Sequence, residues 1–344
     1  MKKILLFAVC FLLSFAAFSQ EKYFRPVQIN FGFPLSTTNV KKAKEYTNAF
    51  SINLLVGISK NERSLALAGV GNVISNNATG LQIAGVSNYI GNAGNGIAVA
   101  GVTNINKGAY NGIQVGGVYN YSGSGIGIAV AGVANMSKDS FIGLQLSGVT
   151  NIAGDVKGLQ FAGVANIAKK VKGVQFASIL NVAEESNFPI AFVNIIKNGK
   201  MGVALSYDMM NNTMLSFRSG GKYTYGILGV GYNNLVNDGS KVVAEAGYGI
   251  HIPITDWIEI NNEFKATSVG FSNDKTCFNA SYLLSPSFTF LNHFNVFGGA
   301  SFNYFMSDYV NSNDLIPNKY LWSKDGNYNQ RMYIGYQVGL QYVF

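Results

Sequence analysis

Gly80-Leu81-Gln82-Ile83-Ala84-Gly85-Val86-Ser87-Asn88 is a nine-residue phrase that this chain writes again and again. It returns as GIAVAGVTN at Gly96–Asn104, GIQVGGVYN at Gly112–Asn120 and GIAVAGVAN at Gly127–Asn135. GLQLSGVTN at Gly143–Asn151 and GLQFAGVAN at Gly158–Asn166 follow. Looser copies flank the series, SLALAGVGN at Ser64–Asn72 and GVQFASILN at Gly173–Asn181. The closing residues Asn72, Asn88, Asn104, Asn120, Asn135, Asn151, Asn166 and Asn181 recur every 15 or 16 positions. So tight a period means one supersecondary unit copied in series.

Within the phrase the apolar and polar positions alternate, as in a β-strand. Leu81 and Ile83 fall on one face, Gln82 and Ala84 on the other. Short Gly-, Asn- and Lys-rich connections such as Asn92–Asn95 and Ala168–Val171 read as turns. Two architectures fit. In a β-solenoid successive coils run parallel, and equivalent residues stack into ladders. In one large barrel neighbours run antiparallel, and the phrase serves as roughly the 9–11 residues of a membrane-crossing strand. Near-identical copies favour the solenoid, because a ladder rewards the same residue at every level and a buried amide bonds the rungs on either side.

From residue 195 onward the period disappears and aromatics multiply. Alternating segments mark strands near Met201–Tyr207, Thr213–Gly220, Tyr223–Asn233, Lys241–Ile252, Trp257–Ser268, Cys277–Ser287, His293–Phe305 and Met332–Phe344. Eight strands suffice to close a small barrel filled by side chains. Met306 to Arg331 reads as a large surface loop. The fold expected is therefore all-β, with 15–16-residue repeats followed by an antiparallel, barrel-like domain. The expected division is a leader at 1–20, lead-in or capping strands at 21–63, repeats at 64–194 and the barrel at 195–344.

The leader is a basic Lys2-Lys3, an apolar run from Ile4 to Phe18 and the exit Ser19-Gln20, the pattern of a secretory signal peptide. Its removal takes Cys10, leaves Cys277 as the one cysteine of the mature chain, and lowers the formal charge of +8 by two. The lysines are scattered through turns, which argues against a nucleic-acid partner. The C-terminal strand carries Tyr336, Val338, Leu340, Tyr342 and Phe344 at alternate positions, with Gln and Gly between them. A terminal aromatic on an apolar stripe resembles the strand by which outer-membrane barrels are recognised for assembly. Together with the leader it points to the outer membrane or cell surface, with membrane lipid and the barrel-assembly machinery as partners.

The serial GLQ-hydrophobic-AG-hydrophobic-x-Asn phrase resembles the bacterial surface-repeat proteins of the leptospiral type, over about Ser64 to Asn194. The resemblance implies an envelope location and brings no catalytic residue with it. It departs from the pattern at Ser178-Ile179 and in the shorter step from Asn181 to Asn194.

Little in the sequence points to catalysis. His251 with Asp256, or His293 with Ser301, are the pairs that a hydrolytic triad would need, yet no motif surrounds either histidine. Clustered His, Cys, Asp or Glu at metal-ligand spacing is missing, so no metal or cofactor is expected. The Gln82, Gln114, Gln145, Gln160 and Gln175 series reads as a structural amide ladder rather than a ligand row. The expected function is a non-enzymatic envelope scaffold or binding surface, with an unspecified surface ligand. A passive channel and a lipid-modifying enzyme are the alternatives.

Overall fold

The computed structural model describes residues 23–32, 35–36, 40–236, 241–270, 277–308, 315–317 and 319–344. The leader expected at 1–20 lies outside them. The repeats form a parallel β-solenoid, and the C-terminal strands close an antiparallel barrel. The chain divides into two compact units, one ending at Ala162 and the next beginning at Gly163.

In the first unit the early coils supply two strands each, as Ala78–Ala84 and Ser87–Ile90, and from Thr103 onward these join into single strands such as Thr103–Gly116 and Tyr119–Ala131. The GLQ-type strand pairs in register with its copies before and after it. Leu81 faces Ile97, Ile97 faces Ile113, Ile113 faces Ile128 and Ile128 faces Leu144. The stacking starts earlier than the motif does. Phe24–Gly32 pairs parallel with Thr47–Asn53, which pairs parallel with Asn61–Ala68. The lysine-rich Val40–Glu45 is a 3₁₀ turn between those first strands.

The interior of the coils combines buried amides and alanines with an apolar cluster of Ile74, Ala78, Ile90, Ala98 and Tyr110. From Asn72 to Asn135 each ladder asparagine donates its Nδ2 hydrogen to the Oδ1 of the next, at 2.9 Å from Asn72 to Asn88 and 2.8 Å from Asn104 to Asn120. The same nitrogen donates to a carbonyl of the neighbouring coil, as Asn88 does to Val99 at 2.9 Å. All these asparagines are buried. One rung is supplied from elsewhere. Gly57 stands opposite Asn72, and the Asn53 side chain fills the space where a Cβ of Gly57 would lie.

The glycine that opens each phrase is required by geometry. Gly112 has φ 132, and a Cβ there would sit 1.9 Å from the Gly96 carbonyl oxygen. Only a residue without a side chain allows the coils this approach at positive φ.

The second unit holds the last coils and the barrel. Asn166 donates to Asn181 at 3.0 Å and Asn181 to Asn194 at 2.9 Å, so the ladder continues within it. The barrel strands are Lys200–Asp208, Asn212–Gly220, Thr224–Asn233, Val242–Pro253, Ile258–Val269, Cys277–Phe290, Phe294–Ser307 and Asn329–Val343. Each pairs antiparallel with the next, and the last returns to the first through Val203 opposite Tyr342 and Leu205 opposite Leu340. A short strand, Trp322–Lys324, lies within the segment expected to be all loop and pairs with the start of the last strand.

Candidate functional site

The barrel turns the usual arrangement of a soluble domain inside out. Along Ile258–Val269, the residues Glu259, Asn261, Glu263, Lys265 and Thr267 are buried in the lumen, while Phe264 between them is exposed. The same alternation places Arg218, Glu245 and Gln337 inside. These side chains tie opposite walls together. Arg218 holds Glu263 in a two-pronged pair, 2.9 Å from Nη1 to Oε1 and 3.3 Å from Nη2 to Oε2. Lys265 reaches Glu245 at 3.0 Å and Glu263 at 3.7 Å, and also donates to Gln337 on the closing strand. The Tyr225 hydroxyl donates to Glu263 at 2.7 Å, and Ser216 Oγ donates to Glu245 at 2.9 Å. The Arg218 guanidinium lies 4.2 Å from the centre of the Phe297 ring.

Two cations and two carboxylates thus balance across the middle of the lumen. Buried charges are tolerated where they are paired, although the Arg218 Nε is buried without a hydrogen-bond partner. A polar cavity of about 20 Å³ beside Asp208, Asn279 and Lys265 has room for about one water molecule. At this level the interior is a packed lattice.

Both histidines can now be placed. His251 is buried in the lumen, stacked on Tyr225 at 4.1 Å between ring centres. Its Nδ1 lies 2.8 Å from Asn261 Oδ1 and 3.5 Å from Glu259 Oε1, and Lys200 reaches the other oxygen of Glu259 at 2.6 Å. His293, expected in a strand, sits in the turn after Phe290, with Nδ1 2.9 Å from the Val343 carbonyl oxygen. Among the described residues neither ring bonds to a Ser, Thr or Cys side chain, and no group of His, Cys, Asp and Glu is arranged to hold a metal. Asp256 and Ser301 are not brought to the histidines as hydrogen-bond partners. The Gln82, Gln114, Gln145, Gln160 and Gln175 side chains are buried in the coils, and Gln160 donates to Gln145 at 2.8 Å.

Outward, the wall is apolar. Tyr336, Val338, Leu340, Tyr342 and Phe344 are all exposed, whereas Gln337 and Gln341 face the lumen. Leu205, Leu215, Val230, Phe264, Leu284 and Phe302 extend the same surface around the barrel. Aromatic rings gather at one end, where Phe290 stacks on Phe294 and Tyr342 packs edge-on against both Phe294 and Phe344.

The two ends of the barrel differ. At one end the connections are the short turns Gly221–Tyr223, Ile254–Trp257 and Leu291–His293, together with the entry at Lys200 and the terminus Phe344. The other end carries the turn Met209–Asn211 and the strand ends at Asn233, Val242, Val269, Cys277, Ser307 and Asn329, between which the chain runs longer. The last coil docks on the short-turn end. The Tyr223 amide donates to the Asn187 carbonyl at 3.2 Å, and Thr224 Oγ1 donates to the Pro189 carbonyl at 2.7 Å. Phe188 stacks on Tyr223 at 5.1 Å.

No helix among the described residues is long and apolar enough to cross a membrane, which leaves crossing by strands open. No protein-family profile, curated protein or solved structure matches this chain.

Proposed function

We propose that the chain is a non-enzymatic outer-membrane protein, anchored by its barrel and presenting its repeats as a scaffold and binding surface. The observation that carries this reading is the inverted barrel, with a charged, hydrogen-bonded interior inside a continuous apolar wall. In water that wall would be a large exposed apolar surface, whereas in lipid it is solvated and every strand edge is closed. The Tyr336–Phe344 stripe is the segment offered to lipid and to the assembly machinery. The ties across the lumen through Arg218, Glu263 and Lys265 weigh against a passive channel. The unactivated histidines weigh against a lipid hydrolase.

Membrane barrels of this kind carry short turns on the periplasmic side and long loops outside. Here the entry into the barrel at Lys200, the C-terminal Phe344 and the last coil share the short-turn end. The reading therefore turns the repeats toward the periplasm and the 308–328 connection toward the exterior.

Single cysteines in a Cys10→Ser, Cys277→Ser background test both parts. Gly326→Cys, where an added Cβ meets nothing within 4 Å, should react with an impermeant maleimide on intact cells. Lys107→Cys, exposed at the bulge of the repeat strand Thr103–Gly116, should react only after the outer membrane is permeabilised. Recovery of the protein in the soluble fraction, or the reverse labelling pattern, overturns the reading.

A further inference from the structure

The outward face of the GLQ-type strands in the first unit is an unbroken apolar sheet. One column runs Val27, Phe50, Leu65, Leu81, Ile97, Ile113, Ile128, Leu144 and Leu159, each opposite the next. A second runs two residues further along each strand, from Ile29 and Ile52 through Ile83 and Val99 to Leu146 and Phe161. A third lines the adjoining corner, where backbone bonds link Leu55, Val70, Val86, Val102, Val118, Val133 and Val149 in turn. Every residue of these columns is half-buried or exposed, and none is charged.

Both margins are more polar. One side runs Thr79, Asn95, Asn111, Ile126, Ile142 and Lys157, a polar row that two isoleucines interrupt. On the other stand Ser87, Thr103, Tyr119 and Thr150. An apolar centre with a polar rim is the anatomy of a protein interface. Parallel sheets, moreover, are found with both faces covered.

We propose that this face packs against the same face of a second copy of the chain, forming a two-fold dimer. The proposal rests on the reading of the repeats as a binding surface and supplies what binds there. Nine rungs at about 4.8 Å span about 38 Å, and the three columns cover about 17 Å at ~3.3 Å per residue. Two such faces bury about 1,300 Å² in total, within the roughly 1,200–2,000 Å² of stable, specific interfaces. The side-chain columns form parallel ridges, and the surface that matches their spacing is another set of the same ridges. A face without charge meets its own copy without repulsion.

Lipid fits less well. The columns outrun the roughly 30 Å hydrocarbon core, and no Tyr, Trp or Lys belt interrupts them as interfacial anchors do. In a two-fold arrangement the central rung, Ile97 and Val99, lies nearest its own counterpart.

Sedimentation of the purified full chain in density-matched detergent should give twice the chain mass. Ile97→Lys with Val118→Lys should give one chain mass with an unchanged strand signal in circular dichroism. In native membranes, Ile97→Cys in the Cys10→Ser, Cys277→Ser background should cross-link to itself on oxidation, and Tyr121→Cys, on the other outward face, should not. A wild-type monomer, a dimer indifferent to the lysines, or cross-linking at Tyr121 alone overturns the proposal. Fractionation of the same cells reports on the envelope reading independently, so a soluble dimer and a membrane-bound monomer are told apart.

Discussion

Asn194 is bonded to Ser219 twice: its backbone amide donates to Ser219 Oγ at 2.9 Å, and its Nδ2 donates to the Ser219 carbonyl at 3.1 Å. Asn194 is also the rung that receives the Nδ2 hydrogen of Asn181. The last asparagine of the ladder therefore ends on a barrel strand, and no amide is left over where the repeat stops. Asn194→Leu should strand both Asn181 and Ser219, at about 1–3 kcal/mol for each buried group left unpaired. Ser219→Ala, which removes only Oγ, should cost less. Denaturant midpoints of the two variants check this ordering.

The middle of the ladder should be equally intolerant. Asn120 is buried and donates both to Asn135 at 2.9 Å and to the Val130 carbonyl at 2.6 Å. Asn120→Leu should lower stability by about 1–3 kcal/mol, whereas Lys107→Ser at an exposed strand position should stay within about 0.5 kcal/mol. Equal melting shifts for the two would mean that the asparagines are not buried rungs.

Gly112→Ala tests coil spacing rather than hydrogen bonding. The new methyl would overlap the Gly96 carbonyl at a φ of 132, where L side chains are strained. A loss of about 3 kcal/mol or more is expected, combining positive-φ strain of about 1–3 kcal/mol with overpacking of about 1–3 kcal/mol. Gly326→Ala, in open space, serves as the control.

Glu62 gives the first coils a pH dependence. Its carboxyl is buried beside Asn48 at 3.0 Å and Ser51 at 2.7 Å, and burial raises its pKa from 4.5 to about 7. The neutral form is the one the fold favours. Its stabilising contribution is complete below about pH 4.5 and is lost as pH rises through about 7. Glu62→Gln should flatten that part of the stability profile and leave the protein more stable than wild type at pH 8, by on the order of 2 kcal/mol. Unfolding midpoints at pH 5, 6.5 and 8 decide it, and an unchanged slope in the variant counts against this role for Glu62.

The sequence was most legible where one residue type repeats. The asparagine period alone located the rungs, because only stacked, parallel coils bring residues 15 or 16 apart into hydrogen-bond contact. Phe24–Gly32 and Thr47–Asn53 were harder. They stack as coils without the GLQ phrase, and Asn53 supplies its amide from a different strand position than the other rungs. The lumen was harder still, since Arg218, Glu245, Glu263, Lys265 and Gln337 are far apart in the chain and meet only when the barrel closes. One signal was present: Glu259, Asn261, Glu263, Lys265 and Thr267 alternate strictly with their neighbours, an inward polar stripe in a segment otherwise read simply as a strand. The apolar character of the solenoid's outer face could not be read from alternation, which separates two faces without saying which is inside.

Removing the terminal aromatic should impair assembly more than folding. Phe344 is exposed, and its side chain packs edge-on against Tyr342. Deletion of Phe344 should lower the amount of heat-modifiable barrel in outer-membrane fractions, while refolding of the purified chain into micelles proceeds as in wild type. A parallel loss in both assays would instead make Phe344 a stability residue.

The account turns most directly on which side of the barrel wall meets lipid. A fluorophore placed by single cysteines along the closing strand, in the Cys10→Ser, Cys277→Ser background, reads this position by position when quenchers are attached to lipid chains. Quenching should be strong at Tyr336, Val338, Leu340 and Tyr342 and weak at Gln337, Gly339 and Gln341. Uniform quenching along the strand, or the opposite alternation, would contradict a membrane-spanning barrel with a charged, packed interior.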